Sequence, residues 1–431
     1  MTANGISTER GGQAVLTQDH VFRSHHLSYR SRYWAYYGKL ITSFSTSTPQ
    51  PLSKMQWKAL ALALLLERSA SQGVPAPANI PPMLRFQCSH LVIERLDPLV
   101  SPGSIPSPHL HQIVGGNSFN ATMDSATHDL VKQSTCTSCT FTEDLSNYWT
   151  AVLYFRARNG TYKRVRQLPN IGLGGNGGIT VYYIPPHNVS VNVTAFKPGF
   201  RMLVGDAASH KPGQDPKVCH RCMPKSGDNS NLNCASPDTQ TLPKAPCVGG
   251  IRSVITFPTC WDGVNTDTPD HKSHVAYPIS GNQDSAPDGG VCPSTHPVKV
   301  PQVMLETIWD VSICRHPLVS SIADPAADHT LFRPRSVARG RLAAFCLEHQ
   351  RQVSRDPRAP TKLDLLSRGS CRDGYTQHGD YVFGWKDNSL QRAMDARCTG
   401  DVCSVLENQT FEESIKCTLQ QTVKDDVDGC E

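Results

Sequence analysis

The stretch ITVYYIPPHNVSVNVTAFKPGFRMLVG, Ile179 to Gly205, holds three short apolar runs with period two, parted by Pro185 and Pro186 and by Lys197, Pro198 and Gly199. A period of two places successive side chains on opposite faces of a strand, whereas a helix repeats at 3.6. The same signature returns in RSVITF (Arg252 to Phe257), VMLETIWDV (Val303 to Val311) and DYVFGW (Asp380 to Trp385), each bounded by Gly, Pro, Asn or Asp. Such short runs predict a mainly β chain, an antiparallel β-sandwich of jelly-roll-like kind in a single domain with long loops. The domain is expected to begin near Leu84, to run over 84–314 and to finish with 373–397.

Between the runs the chain is rich in Pro, Ser, Asn and Cys, most of all over 207–250, an excursion that disulfides rather than a core of its own would hold. The period changes near the end: over 398–431, Leu406, Ile415 and Leu419 fall at near-helical spacing, and Cys398, Cys403, Cys417 and Cys430 are placed to staple a short helical tail to the body. The 16 cysteines include CTSC (Cys136 and Cys139) and CHRC (Cys219 and Cys222), but a zinc ribbon keeps its two knuckles within about 20 residues, so disulfides are expected instead. Asn120, Asn159, Asn188, Asn192 and Asn408 each head a glycosylation sequon.

That pattern belongs to an oxidising compartment. MQWKALALALLLERSASQG, from Met55, has a lysine near its start, an apolar run from Ala59 to Leu66 and small residues after it, the plan of a secretory signal over 55–73. A buried Leu/Ala helix is the other reading of this run. It is too short to span a bilayer, so no membrane anchor is expected. Residues 1–54 are read as a non-native, disordered leader, with translation beginning at Met55, or else a transit peptide, and 315–372 as an atypical basic insert, either a disordered loop or, as the preferred reading, retained non-coding sequence. These two segments carry net charges of +4 and +6 against +5 for the whole chain, so the remainder is mildly acidic. A basic groove with interleaved aromatics is lacking where the strands lie, which argues against a nucleic-acid partner.

Candidate chemistry rests on histidine. In SPHLHQIVGGN, His109 and His111 share a face if the segment is extended; DHKSHVAYP adds Asp270, His271 and His274; STHP adds His296; QHGDY joins His378 to Asp380. Imidazole with carboxylate suits acid-base chemistry near neutral pH and also a zinc or copper site, while His-x-His alone equally fits a satisfied structural role. FPTCWDGVNTDTPDH allows Trp261 to stack on a sugar ring and Asp262 to accept hydroxyl hydrogen bonds, or Trp261 to fill the core and Asp262 to form a turn. LSNYWTAVLYF leaves the same choice for Asn147 and Trp149. The P-loop, the dinucleotide fingerprint and the nucleophile elbow are missing; GLGGNGGI precedes a strand and so reads as a loop.

Taken in order, LDPLVSPG, SPHLHQIVGGNSF, DLSNYWTAVLYF, GFRMLVGD, FPTCWDGVNTDTPDHKSHVAYP, CPSTHPVKVPQ and GYTQHGDYVFGW resemble a family of secreted fungal proteins known as DUF1996, a domain of unknown function. The resemblance covers about Leu96 to Asp310 and resumes near Gly374; between them the family would carry a shorter link than the basic insert found here. It implies an extracellular or cell-wall protein, and its recurrent positions include Asp206 beside the residues already named. It implies no settled activity; the histidine, aspartate and tryptophan motifs carry the expectation of a carbohydrate-active protein, a polysaccharide hydrolase or lyase acting on a cell-wall glycan, with an unspecified cofactor for which a divalent metal is the candidate. In it His109, His271, His274, Asp270 and Asp380 act catalytically, Trp261, Asp262, Asn147 and Trp149 bind substrate, and His111, His296 and His378 hold metal. The rival is a non-catalytic wall or glycan-binding protein in which the same side chains knit loops together.

Overall fold

A computed structural model describes residues 82–156, 162–170, 173–174, 177–209, 216–224, 234–243, 247–281, 288–311, 344–347 and 374–422. The expected leader and signal, Asn159, Cys430 and most of the basic insert lie outside them.

In chain order the strands are β1 (Met83–Cys88), β2 (Val92–Glu94), β3 (His111–Gly115), β4 (Asn147–Ala151), β5 (Leu153–Arg156) and β6 (Tyr162–Arg164). There follow β7 (Gln167–Leu168), β8 (Ile179–Ile184), β9 (Arg201–Gly205), β10 (Val218–Cys222), β11 (Ile251–Thr256) and β12 (Cys260–Trp261). The rest are β13 (Val275–Ala276), β14 (Val298–Lys299), β15 (Gln302–Trp309), β16 (Ala344–Leu347), β17 (His378–Val382) and β18 (Thr399–Gly400). Three short helices complete the described chain: α1 (Leu130–Gln133), α2 (Ser389–Asp395) and α3 (Phe411–Ser414).

Two sheets dominate. One runs β10-β11-β15-β8-β1-β18 with β7 also on β15, and the other runs β2-β3-β4-β17-β9. All pairings are antiparallel except β1 with β18. Phe86, Tyr183, Ile255 and Leu305 of the first sheet and Val114, Tyr148, Met202 and Tyr381 of the second share one buried cluster, so the sheets pack face to face as a sandwich. Gly379 marks how closely they approach: a Cβ there would lie 2.9 Å from Ile255 Cδ1. The mainly β, antiparallel, disulfide-stapled architecture is therefore present, as the period-two runs imply.

The middle run of the opening stretch differs. VSVNVTAF, 189–196, forms no strand, and Val189 is 74% exposed. Here the chain crosses from β8 to β9, which lie in different sheets, so no neighbouring ladder is at hand to pair with it. β16 gives the basic insert a strand, paired with β5, where the sequence shows no alternation. Among the described residues the longest helix, α2, falls before the tail, and the described part of the tail, 398–422, holds α3.

Six disulfides lie among the described residues: Cys88–Cys139, Cys136–Cys417, Cys219–Cys234, Cys222–Cys247, Cys260–Cys292 and Cys398–Cys403. Each cysteine of CTSC and CHRC thus pairs outside its own motif. No helix among the described residues is long and apolar enough to cross a membrane.

Candidate functional site

Strand registers assemble the site. β2 pairs Glu94 with His111, β4 pairs Ala151 with His111, and β9 pairs Gly205 with His378. β17 sets Gly379 opposite Thr150, and one further step of that register brings His378 beside Ala151. Paired residues share a face, so Glu94, His111, Ala151, His378 and Gly205 form one row across all five strands. Val114, Tyr148 and Tyr381 point into the core between the sheets, so this row lies on the opposite face. The next row includes Ile113, Trp149, Asp380 and Leu203.

Within the first row the two imidazoles lean toward each other over the small side chain of Ala151, and their Nε2 atoms come to 2.9 Å. His109 stands just before β3, where the Ser107 hydroxyl donates to its carbonyl at 2.8 Å. Its ring centroid is 6.1 Å from that of His111 and 5.7 Å from that of His378. One nitrogen from each of the three rings lies within 4.8 Å of the others, and all three residues are buried.

The other nitrogens fix the protonation. His111 Nδ1 is 2.9 Å from the Leu96 carbonyl, and His378 Nδ1 is 2.9 Å from the Thr376 carbonyl. A carbonyl oxygen only accepts, so each Nδ1 carries hydrogen and each neutral ring presents a lone pair at Nε2. Burial first, and then the neighbouring His378, hold His111 well below the usual imidazole pKa; burial also lowers His378. Both rings are therefore neutral, with two lone pairs facing each other.

Asp380 Oδ2 lies 3.9 Å from His378 Nε2. The residue is fully buried, and neither carboxyl oxygen has a hydrogen-bond partner among the described residues. Burial, with Asp97 adding to it, pushes its pKa well up. Asp97 is itself buried, its Oδ1 accepting from the Leu99 and Val100 amides at 3.2 and 3.1 Å. Lys272 supplies the nearby cation: its ammonium donates to the Gly205 carbonyl at 2.7 Å and favours ionised Asp380.

The second histidine segment forms a separate, locally bonded loop over β9. His274 Nε2 meets the Arg201 carbonyl at 2.8 Å and its Nδ1 meets Thr268 Oγ1 at 3.0 Å, which uses both ring nitrogens. His271, at φ 53°, sits with Nδ1 2.6 Å from Asp267 Oδ1, and its carbonyl accepts from the Leu203 amide at 3.0 Å. Asp270 accepts from the hydroxyl and amide of Ser273, which hold its carboxyl below the usual range. His296 Nε2 lies 3.0 Å from the Ser273 carbonyl. Lys272 is what this loop contributes to the first group; its histidines do not join that group.

The aromatic candidates are buried. Trp261 is 2% exposed, donates from Nε1 to the Asn265 carbonyl at 2.6 Å and lies edge-on to Phe200, leaving no open ring face. Asp262 accepts from the Val264 and Asn265 amides at 2.8 and 2.9 Å, the hydrogen bonds of a turn former. Trp149 is fully buried against Phe119, and Asn147 Nδ2 donates to the Gly116 carbonyl at 2.8 Å. Ala151, Asp97 and Lys272 lie within the quoted stretches LSNYWTAVLYF, LDPLVSPG and DHKSHVAYP, but their residue types give no reason to single them out there; their roles come from register and loop placement.

The molecule is thus a disulfide-stapled β-sandwich with a buried histidine and aspartate centre on the outer face of its five-stranded sheet. Residues 97–331, more than half of the chain, match the family described as a domain of unknown function, DUF1996, and the chain belongs to that family. The match runs beyond Asp310, where the motif resemblance first ends, and includes the start of the basic insert. No protein of curated function and no solved structure matches the sequence.

Proposed function

We propose that this protein is exported and acts on a polysaccharide or cell-wall glycan, as a hydrolase or lyase, through His109, His111, His378 and Asp380. The observation that carries the reading is the convergence of three imidazoles and a carboxylate from segments 267 residues apart in sequence. Neutral imidazole is the side chain best suited to take a proton from water or from a sugar carbon near neutral pH. A glycosidase of the ordinary kind relies on two carboxyl groups flanking the bond, and this centre offers one carboxylate among imidazoles instead. Export is supported by six disulfides and by the exposure of Asn120, Asn188, Asn192 and Asn408.

Burial of all four side chains favours a second reading, a non-catalytic glycan-binding or wall protein in which the centre only ties β3 to β17. Product release separates the two. The secreted protein is incubated with β-glucan, chitin and pectin, and soluble sugars are measured. Release that disappears in His378→Ala supports the enzyme. Tight glycan binding with every polymer left intact supports the wall protein.

A further inference from the structure

We infer that His109, His111, His378 and Asp380 bind one divalent d-block cation of the zinc type. The ligands are Nε2 of His111 and of His378, a ring nitrogen of His109 and the carboxylate of Asp380.

The two Nδ1 hydrogens are committed to the Leu96 and Thr376 carbonyls, so neither neutral ring has a hydrogen to place between the Nε2 lone pairs at 2.9 Å. A bound cation resolves that conflict. With Zn–N bonds of about 2.0–2.1 Å, a tetrahedral pair of nitrogens stands roughly 3.3 Å apart, so His111 and His378 need to part by only a few tenths of an ångström, while His109 and Asp380 close in from further off. A shared proton would bridge two nitrogens and leave the Asp380 carboxyl without a hydrogen-bond partner among the described residues.

Asp380 is the independent observation. A buried carboxylate without hydrogen bonds is costly unless a cation or a proton meets it, and here it stands 3.9 Å from His378 Nε2. The outer shell has the form such sites take, in which a ligating histidine donates its second ring N–H to a backbone carbonyl and so locks its tautomer. Imidazole-rich ligation suits zinc, copper, iron or nickel and disfavours calcium and magnesium, which take oxygen; tetrahedral nitrogen and oxygen ligation in a closed site points to zinc.

This inference deepens the proposed function, since it concerns the same four side chains. Its test reads metal and stability rather than sugar products, so either can fail alone. The full chain, produced through an oxidising secretory route, is stripped with chelator and titrated with Zn²⁺, Co²⁺, Mg²⁺ and Ca²⁺. Expected are stoichiometric uptake of Zn²⁺, a rise in the thermal midpoint that chelator reverses, visible bands of tetrahedral Co²⁺, and no response to Mg²⁺ or Ca²⁺. His378→Gln and Asp380→Asn should weaken Zn²⁺ by at least about tenfold, and His296→Ala, outside the centre, should not. The wild-type titration decides the matter even where a variant fails to fold. Substoichiometric uptake of both Zn²⁺ and Co²⁺ by oxidised, folded protein would overturn the inference, as would equal loss of uptake in His296→Ala.

Discussion

At the scale of single residues, Asp144 is a buried carboxyl bonded to the tyrosines of the core between the sheets, and its behaviour is predictable. Asp144 Oδ2 lies 2.8 Å from the Tyr148 hydroxyl, which meets Tyr183, which in turn reaches Tyr381 and accepts from Trp385. Burial pushes the Asp144 carboxyl up to about 7. A carboxyl raised in the folded state stabilises it fully below about pH 4, and that stability is lost as pH rises to about 7, on the order of 4 kcal/mol in all. His90 and His220, held down to about 4 by burial, work the other way: their contribution is present above about pH 6.5 and is lost as pH falls through about 4. Asn resembles the protonated carboxyl at Asp144. Denaturant unfolding of Asp144→Asn at several pH values from about 4 to 7 should therefore show stability rising with pH, relative to wild type, across that window. A constant difference between the two proteins would show that Asp144 does not titrate there.

At the scale of elements, the row Glu94, His111, Ala151, His378 and Gly205 converts strand register into a site. A slip of one residue in β17 would turn His378 and Asp380 into the core and bring Gly379 and Tyr381 out. Two small residues flank His378 in this row. Gly205, at φ 88°, has no room for a Cβ, which would lie 2.5 Å from the Gln377 carbonyl oxygen and 2.8 Å from His378 Cα. Ala151 is the floor beneath the rings. Ala151→Leu should keep the strands, measured by far-UV circular dichroism, while lowering unfolding stability by about 1–3 kcal/mol and abolishing Zn²⁺ uptake, because the added carbons occupy the space where the imidazoles meet. Retained Zn²⁺ binding in that variant would mean the rings do not meet over Ala151.

At the scale of the molecule, cross-links substitute for what long loops lack. Cys136–Cys417 closes a separation of 281 residues and ties the tail against β2, where the Thr422 amide and hydroxyl each donate at 2.6 Å to Glu94 Oε2. Long-loop disulfides restrict the unfolded chain most, so Cys136→Ser with Cys417→Ser should cost about 2–5 kcal/mol. Calorimetry of the double variant, produced under oxidising conditions, checks this. Hydrogen exchange should also show the tail opening before the sheets, since the row beginning at Glu94 loses its cover while the inter-sheet core stays intact.

Much of this architecture was legible in the residues themselves. Period two in ITVYYI, RSVITF, VMLETIWDV and FRMLVG marks strands because local sterics alternate side chains whatever the partner. The same rule set His109 beside His111, and the cysteine content foretold disulfides, six of which lie among the described residues. Nothing local shows which strands become neighbours, so sequence reasoning grouped His271 and His274 with the rest, whereas the tertiary structure gives them to a self-bonded loop and brings His111 to His378 across Ala151. It also decided that Trp261 and Trp149 are interior, since burial is set by the layers that close over a side chain. Alternation is a property of the backbone within a few residues; convergence depends on register and sheet order, which only the packed chain as a whole determines.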